Sequence, residues 1–177
     1  MTIDKVYLVG FMASGKTTVA RALAARLGWR GEDIDELIVA REHASIAHIF
    51  THHGEPYFRQ VERDLLHVLQ PLRHVIVATG GGTFSDPENR SAINMDGLSI
   101  WLDVPLGVLI PRIPRDGSRP LAANLADLER LYAARAEAYQ LAHVRIAAGA
   151  LPVEAIVDRI VEAMTASPQI ADHRPLG

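Results

Sequence analysis

The sequence predicts a three-layer α/β fold, with a five-stranded parallel sheet covered by helices on both faces. Three observations lead there. Val6–Val9, Val75–Ala78 and Leu98–Leu102 are short apolar runs without apolar–polar alternation, the pattern of strands buried on both sides. Between such runs lie segments with helical spacing, as at Val19, Leu23 and Leu27. Strand and helix patterns alternate along the chain, which favours crossover units over hairpins.

Composition bounds the problem. A chain of 177 residues fits one compact domain, expected here over residues 1–166, with 167–177 as a frayed tail. Hydrophobic residues at 49% and charged residues at 22% exclude wholesale disorder. Eighteen Lys and Arg against 21 Asp and Glu give a net charge of -3, which argues against a nucleic-acid binder. There is no cysteine, so a disulfide framework, a thiolate metal site and a cysteine nucleophile are all excluded, and a reducing cytosol suits the chain. No run approaches the roughly 18 apolar residues of a membrane span. Met1–Lys5 also lacks the basic and then apolar pattern of a secretory signal, so a cytoplasmic location away from membranes is expected.

The first strand runs straight into Gly10-Phe-Met-Ala-Ser-Gly-Lys-Thr17, two glycines with four residues between them followed by Lys and Thr. Glycines let backbone N–H groups converge on an anion, the following helix adds its positive end, and Lys16 reaches the outer phosphates. The Thr17 hydroxyl is placed to ligate Mg²⁺. A chance glycine turn is the bland alternative, but the motif lies where it must, between a strand and the helix Thr18–Leu27 that Gly28 stops. No Asn-Lys-x-Asp sequence is present, which weakens a GTPase reading.

Asp33-Ile-Asp35 falls where a second strand should end. If extended, its two carboxylates face one side, one to hold Mg²⁺ and the other to accept a hydroxyl proton. Alternatively, Asp35 merely caps the next helix. That helical region, about 35–69, is broken near Ala44-Ser45 and again at Gly54-Glu-Pro56. Within it Arg59 and Glu62 flank the stripe Phe58, Val61 and Leu65, as a ligand clamp or as a plain surface ion pair. Gly80-Gly-Gly82 follows the strand Val75–Ala78, which suits a ligand approaching bare main chain better than a simple turn does. Asp86 and Pro87 open a short helix to Met95.

A helix near Leu106–Arg112 gives way to an aperiodic segment, 113–124, predicted to be a mobile lid with Arg112, Arg115 and Arg119 around it. Arg115 is read as a solvated loop charge. On the helix Asp127–Leu141, Arg135 interrupts an apolar stripe of Leu128, Leu131, Tyr132 and Tyr139, so it needs a buried partner or a cleft, and a cleft fits the expected anion. His143–Ala147 is a last strand and Val153–Ala166 a closing amphipathic helix. His43, His48, His52 and His53 suggest a metal, but without His-Glu-x-x-His or cysteine a polar helix face is the better reading. Trp29 and Trp101 are read as packing.

In this order the segments resemble shikimate kinase from about residue 5 to 165. The matching stretches are the 10–18 loop, Asp33-Ile-Asp35, Ser45–Phe50, Gly54-Glu55 with Phe58-Arg59 and Glu62, Ala78–Gly82, Glu88-Asn-Arg90, Arg119-Pro-Leu121, and Arg135 with Tyr139. The resemblance implies a P-loop kinase fold and transfer of the ATP γ-phosphate to the 3-hydroxyl of shikimate, in the route to aromatic amino acids. It implies Asp35 as base or orienter of that hydroxyl, and Arg59 and Arg135 on the carboxylate. Gly80, Gly81 and Gly82 would contact ring hydroxyls, with Phe50, Phe58 and Pro120 as walls. Ala13, Ser14, Gly15, Lys16, Thr17 and Thr18 would hold the phosphates, Arg119 would reach them, and Arg112 would stack on adenine. Thr17 and Asp33 fall at the Mg²⁺ positions. A monomer is implied. The alternatives are a kinase of a related polyol acid, such as gluconate or an amino-substituted shikimate, and a non-catalytic nucleotide-binding module. Intact Asp35 and Lys16 count against the module.

Overall fold

A computed structural model describes residues 3–113 and 124–166. Residues 114–123, most of the predicted lid, and the predicted tail from 167 onward lie outside the described residues. Five parallel strands are ordered β2-β3-β1-β4-β5, namely β1 Lys5–Val9, β2 Arg30–Asp33, β3 Val75–Ala78, β4 Leu98–Asp103 and β5 Val144–Ala147. The strand β1 is buried along its whole length at the centre, as its unbroken apolar run predicts.

Seven helices connect and cover the sheet among the described residues: α1 Lys16–Leu27, α2 Ile34–Glu42, α3 Ile46–Leu69, α4 Pro87–Asp96, α5 Leu106–Leu109, α6 Leu125–Tyr139 and α7 Val153–Ala166. Their ends follow local chemistry. Gly28 stops α1 in the left-handed conformation (φ 67°). The Asp86 carboxylate accepts the N–H groups of Glu88 and Asn89 to start α4, with Pro87 at the first position as predicted. Ser45 caps α3 by accepting the His48 N–H. Asn124 caps α6 through the Asp127 N–H, so that helix begins two residues earlier than its periodicity suggests. The break predicted at Gly54-Glu-Pro56 is present: Gly54 is non-helical (φ 79°, ψ 170°), so α3 is two helical segments joined across a kink.

One local prediction fails. Asp33-Ile-Asp35 is not an extended tripeptide, because β2 stops at Asp33 and Asp35 already lies in the first turn of α2. The reason is the Asp33 side chain: its Oδ1 accepts the backbone N–H groups of Asp35 (2.9 Å) and Glu36 (3.2 Å). The capping role considered for Asp35 therefore belongs to Asp33.

At the N-terminal edge of the sheet, Lys5 is fully buried. Its ammonium donates to the carbonyls of Leu69 (3.0 Å) and Gln70 (2.7 Å) and to Asp96 Oδ2 (2.6 Å). Tyr7 donates to the same Asp96 oxygen, tying β1 to the ends of α3 and α4. Burial lowers the Lys5 pKa and raises that of Tyr7, while Asp96 holds the lysine charge in place. No helix among the described residues is long and apolar enough to cross a membrane.

On the β4–β5 side, the Ser99 N–H donates to His143 Nδ1 (3.1 Å), the His143 N–H donates to Ser99 Oγ (2.9 Å), and Ser99 Oγ donates to Asn94 (2.6 Å). The ring nitrogen facing Ser99 must therefore lack a proton, and burial lowers the His143 pKa. A histidine pKa depressed by folding means that the folded state binds fewer protons. Its contribution is complete above the ordinary histidine value of about 6.5 and is lost as pH falls through that value toward the lower folded one. Urea unfolding of wild type should therefore weaken between pH 7.5 and 5.5 more than that of His143→Asn, whose side-chain oxygen can accept the Ser99 N–H at both pH values. Equal losses would show that His143 does not control this acid limb.

Candidate active site

The loop after β1 is built to receive an anion. Gly10 (φ 145°), Ala13 (φ 61°) and Gly15 (φ 89°) turn the backbone around on itself, and a Cβ at position 10 would lie 2.8 Å from the Leu102 carbonyl oxygen. Ala13 holds a left-handed conformation that a side chain disfavours. α1 begins at Gly15 with no side-chain cap and no acidic residue in its first turn, so its N–H groups and dipole face the loop unopposed. Lys16 is buried there, its ammonium donating to the Phe11 carbonyl (2.8 Å). Ser14, Lys16 and Thr17 thus stand where the sequence places phosphate contacts, and Thr18 continues the helix.

Thr17 Oγ1 donates to Asp33 Oδ2. A hydroxyl and a carboxylate side by side at the loop are hard oxygen donors of the kind Mg²⁺ takes together with phosphate oxygens and water. The other oxygen of Asp33 caps α2, so one carboxylate links the metal-type position to the helix that carries Asp35.

Across the sheet edge, Gly80–Gly82 assemble a charged cup. A Cβ on Gly80 would lie 2.6 Å from Glu62 Oε1 and 3.1 Å from Asp35 Oδ1. One on Gly81 would lie 3.0 Å from Arg135 Nη1 and 3.4 Å from the Met12 nitrogen, and one on Gly82 would lie 2.6–2.9 Å from the Arg59 guanidinium. None of the three has a positive φ. The glycines leave room for the protein's own charged side chains, where the sequence weighed a ligand's approach against a simple turn. They bring Asp35, Arg59 and Arg135 together beside the phosphate loop.

Arg59 donates through Nη1 to Glu62 (2.9 Å) and through Nε and Nη2 to Glu55 (3.2 and 3.0 Å). Glu62 is wholly buried and also accepts the Thr83 hydroxyl (2.5 Å). Burial opposes the Arg59 charge, but Glu62 and Glu55 outweigh it and raise its pKa. Burial raises the Glu62 pKa against the pull of Arg59 and Thr83. Arg135, 7% exposed, lies over the Phe11 ring (5.6 Å), and no carboxylate among the described residues is within ion-pair distance of it. Its pKa is lowered, mainly by burial and also by the nearby Arg59 charge, yet a guanidinium keeps its charge. Tyr139, one turn on, donates to the Gly81 carbonyl and fixes the glycine turn against α6. Phe58 is buried and Phe50 packs on it at 4.7 Å.

Arg112 ends the tight turn after α5 and is exposed. Arg115, Arg119 and Pro120 lie outside the described residues. The residue patterns gave the Arg59–Glu62 pair but not its burial, nor the Thr83 anchor, the Phe11 platform or the Tyr139 strut. The available signals were Arg59 and Glu62 at i, i+3, and an Arg135–Tyr139 pair at i, i+4. Among the described residues no group of three or more His, Asp or Glu side chains could hold a metal ion, so the histidine-rich segment forms no metal cluster of that size.

A glycine–lysine–threonine loop and a cup of charged side chains beside it at one sheet edge fit a P-loop kinase of small molecules. The comparisons carry this to a single family. Residues 12–165 match the family model for shikimate kinase, and the chain belongs to the shikimate kinase family. It is 42% identical over 161 residues to the shikimate kinase of Synechococcus elongatus (89% of this chain, 84% of that one) and 37% identical over 160 residues to that of a Sulfurihydrogenibium species (90% and 96%). The solved shikimate kinase of Acinetobacter baumannii in complex with shikimate superposes with a TM-score of 0.89 at 32% identity, covering 94% of this chain and 96% of that one. A deoxyadenosine kinase from M. mycoides, 16% identical with a TM-score of 0.63, shares the fold alone.

The cup makes a direct prediction. In Gly82→Ala, the added methyl must displace an Arg59 guanidinium pinned by two carboxylates, so KM for the acidic acceptor should rise by roughly tenfold to a hundredfold while KM for the nucleotide stays constant. Steady-state kinetics with each substrate varied would show it, and equal changes in both constants would contradict the geometry.

Proposed function

We infer that this chain transfers the γ-phosphoryl group of ATP to the 3-hydroxyl of shikimate, giving shikimate 3-phosphate and ADP. The enzyme is an ATP-dependent shikimate kinase that works with Mg²⁺. The observation that carries the residue-level reading is the convergence of Asp35, Arg59 and Arg135 on Gly80–Gly82 beside the phosphate loop.

In this reading, Arg59 and Arg135 hold the acceptor carboxylate from two directions and so orient the ring. Phe50 and Phe58 cover one wall, and the backbone of Gly80–Gly82 meets the ring hydroxyls. Asp35 accepts the proton of the 3-hydroxyl as its oxygen bonds to the γ-phosphorus and the bond from that phosphorus to the β,γ-bridging oxygen breaks. Lys16 and the N–H groups of the loop hold the phosphate oxygens as charge shifts toward ADP, and Arg119 is assigned to the same phosphates. Thr17 and Asp33 would hold Mg²⁺, which supplies charge neutralisation to the phosphates when bound. Arg112 is assigned to the adenine face. The same reading takes the enzyme to be a cytoplasmic monomer that binds no nucleic acid, in keeping with a cysteine-free chain of net charge -3.

ADP release coupled to a reporter, with shikimate, quinate, gluconate or no acceptor, tests the assignment. Turnover should require shikimate, and faster turnover with gluconate would replace this reading with the polyol-acid alternative. Asp35→Asn should lose about 10²- to 10⁴-fold in kcat with nucleotide binding retained, and unchanged turnover would remove its role. Arg135→Ala should raise the shikimate KM by about tenfold to a hundredfold without a matching change for ATP.

A further inference from the structure

The first two turns of α3, between the Ser45 cap and the Gly54 kink, carry His48, His52 and His53, all exposed and none in the phosphoryl-transfer site. His53 packs against Tyr57, whose hydroxyl donates to Glu42. His48 and His52 pair with each other. They are one helical turn apart, and their rings stack with centroids 3.8 Å apart and planes at 18°. His52 Nδ1 lies 3.0 Å from the His48 carbonyl oxygen. A carbonyl can only accept, so Nδ1 carries the proton and the Nε2 lone pair of His52 is left for another partner. Imidazoles that ligate metals are set in the same way, with the second ring nitrogen donated to a carbonyl or carboxylate.

We propose that His48 and His52 form a two-imidazole site for a late first-row divalent cation of the Zn²⁺ class, with water completing the coordination. Imidazole suits Zn²⁺, Ni²⁺ and Cu²⁺, whereas Mg²⁺ keeps oxygen ligands and does not compete here. The site is thus separate, by ligand chemistry, from the hydroxyl–carboxylate pair of Thr17 and Asp33. To ligate one cation the two exposed rings leave their face-to-face stack, so that both Nε2 lone pairs turn toward the same point. Among the described residues no further His, Asp or Glu completes a three-ligand group, which makes this an exchangeable chelate and not a buried structural centre. Its position gives it a consequence: the bridged turn, 48–52, carries Phe50 and ends just before the kink at Gly54 (φ 79°). A bound cation holds helical the turn whose Phe50 packs on Phe58.

The test is calorimetric titration of the full chain with ZnCl₂ in a non-chelating buffer containing excess Mg²⁺, together with ¹H–¹⁵N spectra of the histidine rings. One equivalent of Zn²⁺ should bind, shifting the Nε2 signals of His48 and His52. His48→Gln and His52→Gln should each weaken binding by roughly tenfold or more, while His53→Gln matches wild type. The proposal is overturned by no binding in the presence of Mg²⁺, by unchanged affinity in the first two variants, or by ring shifts confined to other histidines. The ring spectra of wild type decide the matter even if a variant folds poorly.

Discussion

A parallel sheet releases all its strands at one edge, and that shared polarity organises this molecule. Leu8 and Asp33 both pair with Ala78, and Val9 pairs with Trp101, so β1, β2, β3 and β4 finish nearly level. The phosphate loop, the Asp33 cap and the glycine turn are therefore forced into proximity, although some 70 residues of chain separate the first from the last. Strand ends of a parallel α/β sheet are where ligand sites arise, and here three consecutive strands in space supply the pieces.

Proximity alone would not bring four charged groups together. Side chains at positions 80–82 would occupy the space now held by Glu62, Asp35, Arg135 and Arg59, so the glycines set how closely those charges approach. The charges then organise one another. Glu62 pays its desolvation cost through Arg59 and Thr83, and Arg59 is held in a fixed direction as a result. Arg135 has no such carboxylate among the described residues. It lies on the Phe11 ring beside Tyr139, a setting in which an incoming anion is the natural counter-charge.

The contrast with Lys5 shows how a buried cation is read. Lys5 is also excluded from solvent, yet two carbonyls and Asp96 saturate its three donors and leave nothing for a ligand. It is a tie between β1 and the ends of α3 and α4. Burial of a charge marks a binding site only when its donors have not been consumed by the fold.

Local pattern by itself determined much of this protein. The apolar runs gave the strands, the glycine–lysine–threonine pattern gave the tight turn from β1 into α1, and the apolar stripe of α6 foretold the burial of Arg135, because backbone geometry and solvation act within a few residues. Tertiary structure alone decided which aspartate caps α2, which charged side chains meet the three glycines after β3, and that Lys5 pairs with Asp96 while Arg135 has no carboxylate within ion-pair distance among the described residues. Each of these depends on groups that approach across the fold from distant segments. Spacing along a chain says nothing about such approach until the parallel strands set the distances.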